Sequence, residues 1–254
     1  MSTRAVVVLG VIGLIVGLGV IFAVFFGVQT AAVIFVKRKV AGSPEMSMVP
    51  QPLLRTSASE APGKRFSYFG YGFELPWTDA TEDVKESSVR IDSTSGKAVL
   101  LLDLTQGPPV PDLGAAVPTF LDMTGHNSYA FYDEVLQTTP DQLSVFMPRD
   151  KSVRAMDLLS LKFVLVPVAG PPSGIFTFAH GDSRGFQFGD PAVADKVFVE
   201  VFHQDQRAFE VVFFTGQDPE ARLTQEEINR VITTLRRVDG KERSQEVQGS
   251  SPGE

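Results

Sequence analysis

The 254-residue chain has no cysteine, one tryptophan and three histidines. Without cysteine there can be no disulfide framework, no thiolate nucleophile and no zinc or iron–sulfur site that needs thiolate ligands. His126, His180 and His203 stand 54 and 23 residues apart, a spacing unlike that of a histidine-built metal centre. Asp79, Glu82, Asp83 and Glu86 crowd one stretch after Trp77, but not in the order of a calcium loop, so they read as a solvated acidic loop. No Walker-type phosphate loop is present. The expectation is therefore no metal and no cofactor. Basic charge is also short, with 23 Lys and Arg against 30 Asp and Glu, a net charge of −7.

The chain does have apolar length. From Ala5 to Val36 run 32 residues without a charge. As a helix they would measure about 48 Å, more than the roughly 30 Å hydrocarbon core of a bilayer. Ala5–Val28 alone would span it, which predicts an N-terminal membrane anchor over residues 1–39, with the lipid bilayer as partner through residues 5–36. The alternative is a cleaved secretory signal, whose apolar part is usually about 7–15 residues long. Gly13 and Gly17 form a G-x-x-x-G pair, a candidate contact for weak helix–helix self-association. Arg4 flanks the run on one side and Lys37, Arg38 and Lys39 on the other, which by charge alone favours a cytoplasmic domain.

Residues 40–64 are rich in Pro, Ser, Ala and Gly and read as a flexible stalk. Residues 239–254 read as a disordered tail. Between them, residues 65–238 are long enough for one core and carry 15 basic against 24 acidic residues. The first 64 residues carry 6 against 2. An acidic folded region argues against nucleic acid as a partner.

Periodicity gives the elements. Arg65–Leu75 alternates at Tyr71, Phe73 and Leu75 and reads as a strand, with Gly70 and Gly72 marking a bulge or close approach. Ser88–Asp92 and Lys97–Thr105 flank a turn. Helical patterns follow at Leu113–Met123, Tyr129–Gln137 and Ser152–Val166, with a helix start at Thr139-Pro140-Asp141. Gly174–His180 and Gly185–Phe188 bracket the Gly181–Arg184 turn, and Lys196–Gln204 and Arg207–Thr215 form a second hairpin. In that pair Val197, Val199 and Val201 occupy one face and Phe198 and Phe202 the other, so the sheet should be covered on both sides. Thr224 opens the last helix, with Glu227 completing a capping box and Arg236 and Arg237 at its C-terminal end. The fold class is α+β: a mostly antiparallel sheet flanked by helices, an α/β/α sandwich, preceded by one transmembrane helix.

This order, with FGYGFELPW opening the domain and LTQEEINRVITTLRRV closing it, resembles the PsbP-like and DcrB-like α/β/α sandwich domains over roughly residues 65–238. The Gly107–Pro148 stretch is longer than that family's usual connection. The resemblance implies an accessory or assembly domain, often exported and usually without catalytic residues, and it transfers no functional residue. With the stalk, it turns the expected placement outward: a single-pass cell-membrane protein with an extracytoplasmic domain.

Gly181-Asp182-Ser183-Arg184-Gly185 matches the G-x-S-x-G nucleophile elbow, but the following Phe-Gln-Phe-Gly-Asp-Pro cannot start the helix an elbow requires. A turn accounts for the same residues, and no catalytic residue is assigned. Aromatics beside glycines are the better candidates for partner or ligand contact: Tyr68, Phe69, Tyr71, Trp77, Phe186 and Phe188. The expected function is a membrane-tethered, non-enzymatic interaction or assembly domain whose partner is another protein. The alternatives are a tethered binder of a small apolar ligand or lipid and, last, a hydrolase using Ser183.

Overall fold

The computed structural model describes residues 27–40, 42–53, 57–104, 127–166, 174–216 and 222–238. Among them no helix is long and apolar enough to cross a membrane. Over the described residues that finding contradicts the membrane-spanning anchor, and with it the tethered function, the bilayer as partner and the single-pass localisation. Residues 27–40, the described end of the apolar run and its basic flank, form helix α1. Val33 is 1% exposed and packs with Val40, Met46, Leu143 and Leu159. Gln29 Nε2 donates to the Met147 carbonyl at 2.7 Å. Hydropathy records how apolar a run is, and a protein core satisfies that as a bilayer does. Residues 5–26 with Gly13 and Gly17, the helical pattern at Leu113–Met123, His126 and the tail 239–254 lie outside the described residues.

The strands are β1 (Gln51–Pro52), β2 (Lys64–Tyr68), β3 (Tyr71–Leu75), β4 (Thr81–Val84), β5 (Ser88–Asp92), β6 (Ala98–Asp103), β7 (Ile175–His180), β8 (Ser183–Phe188), β9 (Lys196–His203), β10 (Gln206–Phe214) and β11 (Arg236–Arg237). Among the described residues the helices after α1 are α2 (Ser128–Gln137), α3 (Arg149–Leu165) and α4 (Gln225–Thr234). Eight strands make the main sheet in the order β1-β7-β8-β9-β10-β6-β5-β4, and β11-β3-β2 make a second, smaller one. The main sheet is mixed: β1 runs parallel to β7, and every other pair is antiparallel. β1 and the 3-10 turn at Pro44–Ser47, whose Met46 is fully buried, fall within the stretch read as a stalk.

Period-two alternation decides what each face of the sheet meets. Val197, Val199 and Val201 of β9 point into a core closed by α4 and the small sheet, with Phe66, Phe73, Trp77 and Ile228. Phe202 of the same strand points the other way, with Phe186 and Phe188, under α2 and α3. Arg65–Leu75 is a hairpin, not one strand. Phe69 (φ 54°) and Gly70 (φ 80°) both take the left-handed turn conformation that reverses the chain. Gly185 is required on packing grounds: a Cβ there would lie 1.9 Å from the Glu200 carbonyl oxygen and 2.7 Å from the Phe178 ring.

The last helix starts where its capping chemistry puts it. Thr224 Oγ1 accepts from the Glu227 amide at 3.3 Å, and Glu227 Oε2 accepts from the Thr224 amide at 2.9 Å. Glu227 also accepts from Trp77 Nε1 at 2.9 Å and Lys97 Nζ at 3.0 Å, so one carboxylate ties helix, loop and sheet together. Thr224→Ala is expected to cost about 1 kcal/mol in urea unfolding. The helix ends at Thr234, so Arg236 and Arg237 are not its last turn but a short strand paired with Gly72 and Tyr71.

Candidate functional site

The six aromatics singled out by sequence are divided between the layers. Phe186 (0% exposed) and Phe188 (2%) lie under α2 and α3, where Tyr129 stacks on Phe186 with ring centroids 5.0 Å apart. Tyr71 and Trp77 are buried in the opposite core, and Tyr68 and Phe69 pack half-buried against its edge. The sheet separates the two groups, so they form no common surface.

Ser183 is the first residue of β8, inside a strand rather than on a strand-to-helix elbow. Its cross-strand partners are His180 and His203. Among the described residues His203 Nδ1 is buried without a hydrogen-bond partner, and the ring meets Tyr71 edge-on at 5.7 Å.

Two groups of buried charge are more unusual. On β9 and β10, Glu200 and Glu210 are directly opposed across the strands. Arg207 Nε donates to Glu200 at 2.7 Å, its Nη2 makes a second bond to the same carboxylate, and the guanidinium lies 3.6 Å from Glu210. Burial, then the charge of Glu200, pushes the Glu210 carboxyl up to about 7. The Tyr132 ring sits 5.5 Å from Arg207, and its hydroxyl is buried without a partner among the described residues. The second group is Lys162, fully buried, whose Nζ donates to the carbonyls of Met48 (2.5 Å), Leu136 (2.7 Å) and Thr138 (2.9 Å). Burial pulls this amine down to about 8. Neither group is among the residues that line the open cleft on the small sheet.

An open cleft of about 560 Å³ lies on the outer face of the small sheet, beside the end of α4. Alternation creates it: Phe66 and Phe73 point into the core, so Arg65, Ser67, Gly72 and Glu74 point out. Ser67, Gly72 and Arg236 are cross-strand neighbours in one row, with no side chain at its centre. Glu74 accepts from Arg65 Nε at 2.7 Å and from Arg230 Nη2 at 2.6 Å. The hydrogen bond from Arg65, then those and the charge of Arg230, hold its carboxyl below the usual carboxylate range. His180 and Thr233 complete the wall.

Sequence reasoning passed over Arg65, Glu74, Arg230 and Arg236. A usable signal was there: in Arg65–Tyr68 the polar residues take the opposite parity to buried Phe66. Arg236 carried no such signal, because Arg-Arg after a helix reads as complement to the helix dipole. Compared with known protein families and with curated proteins, the chain matches none.

Proposed function

We propose that the domain is a binding module that takes a small ligand in this cleft and acts by holding it rather than by transforming it. One observation carries the proposal: an open cleft of about 560 Å³ walled by fixed charges. Arginines stay protonated, and Glu74, clamped by two of them, stays ionised. Such groups orient a ligand and have no proton to give or take near neutral pH, which leaves His180 as the one described lining residue of a type suited to general acid–base catalysis. The resemblance to PsbP-like and DcrB-like domains points the same way, since it implies an accessory role.

A fragment screen by NMR tests this. Hits should shift the amides of Gly72 and Thr233 and the Arg236 Nε signal, and Ser67→Trp, which places a ring over Gly72, should abolish them. Each hit should be recovered chemically unchanged. Hits that ignore Ser67→Trp, or turnover of a bound compound, would overturn the reading.

A further inference from the structure

We infer that the cleft's ligand is an anion bearing a carboxylate or phosphate group, and that Arg236 is its anchor; this rests on the binding reading above. The sign of charge is the first argument. Residues 65–238 carry 15 basic against 24 acidic residues, yet the cleft reverses that balance. Arg65 and Arg236 stand on its wall and Arg230 behind it, while Glu74 is the one carboxylate among its described lining residues. Glu74 is shared between Arg65 and Arg230 and so offsets a single positive charge.

Geometry supplies the second argument. Arg236 enters no ion pair among the described residues, and it sits on an exposed strand only two residues long. Across the row from it is the Ser67 hydroxyl, and between them lies Gly72, over which the Val238 side chain rests. A Cβ at Gly72 would come 2.9 Å from Val238 Cγ2, so only glycine lets Val238 pack down on this row. A guanidinium presents a planar fork of donors that fits two oxygens of a carboxylate or phosphate at once, and a hydroxyl opposite can donate to a third. A cation would meet net positive charge. A neutral ligand would strip water from Arg236 and return nothing to its charge.

Titration calorimetry on the full chain, with citrate, inorganic phosphate and the uncharged triamide of citrate as probes, decides the matter. Citrate or phosphate should bind and weaken with added salt, and their ranking separates carboxylate from phosphate preference. Arg236→Gln should weaken the better anion about tenfold or more, and Arg236→Lys, which keeps the charge without the fork, should fall between. The triamide should not bind. If the triamide binds as tightly, or Arg236→Gln changes nothing, the anion assignment fails. If only neutral compounds sensitive to Ser67→Trp bind, the assignment fails while the binding reading stands. If no compound occupies the cleft, both fail.

Discussion

Lys162→Met is expected to lower the unfolding free energy by about 3–5 kcal/mol, because it leaves three buried carbonyl acceptors without a donor. Methionine nearly matches lysine in length and fills the same space, so the loss reads the missing hydrogen bonds rather than a cavity. Main-chain carbonyls cannot be mutated away, and those of Leu136 and Thr138 belong to the negative end of α2. The ammonium therefore caps α2 from α3 and holds the Met48 segment to both. With the pKa lowered by burial to about 8, the amine keeps its third proton at neutral pH and has one for each carbonyl. For a domain of this size the melting temperature should fall by about 6–20 °C. A fall of less than about 2 °C would show that water replaces the lysine without cost.

Glu210→Gln should have the opposite sign, and only above mildly acidic pH. The folded-state pKa of Glu210 is raised from 4.5 to about 7 by burial and by Glu200 opposite it. Between those values the folded chain holds a proton that the unfolded chain has already released. Stability from this group is therefore complete below about pH 4.5, is lost as pH rises toward 7, and is flat beyond. The gap corresponds to at most about 3 kcal/mol. The groups facing it are Glu200, which takes both arms of Arg207, Arg207 itself at 3.6 Å, and the Tyr132 ring. Arg207 works against its own burial through the hydrogen bond and charge of Glu200, which raise its pKa above the ordinary value. Urea unfolding at pH 5 and pH 8 checks this. Wild type should lose about 2–3 kcal/mol more than Glu210→Gln over that interval, whereas parallel profiles would exclude a protonated Glu210.

Much of the fold could be read in particular residues. The Thr224–Glu227 box, the hairpin of β9 and β10 and the two-sided apolar pattern of β9 all rest on neighbours within a few positions in the chain. The candidate site was harder to see. Glu74 meets Arg65 nine residues away, within one hairpin, but meets Arg230 only across 156 residues. The aromatics are ambiguous for a related reason: a Phe beside a glycine looks the same whether it faces a ligand or the next layer of the core.

By itself, then, the sequence determined the acidic balance, the absence of thiol chemistry, the strand and helix periods and the covering of the sheet on both faces. Composition and local spacing suffice for these. Only the tertiary structure decided the rest: that residues 27–40 lie against the domain, that β1 makes the sheet mixed, that Lys162 is caged by carbonyls, and that two arginines of an acidic domain clamp one glutamate. Each depends on which surfaces meet, and residues far apart in the chain carry no local record of their partner.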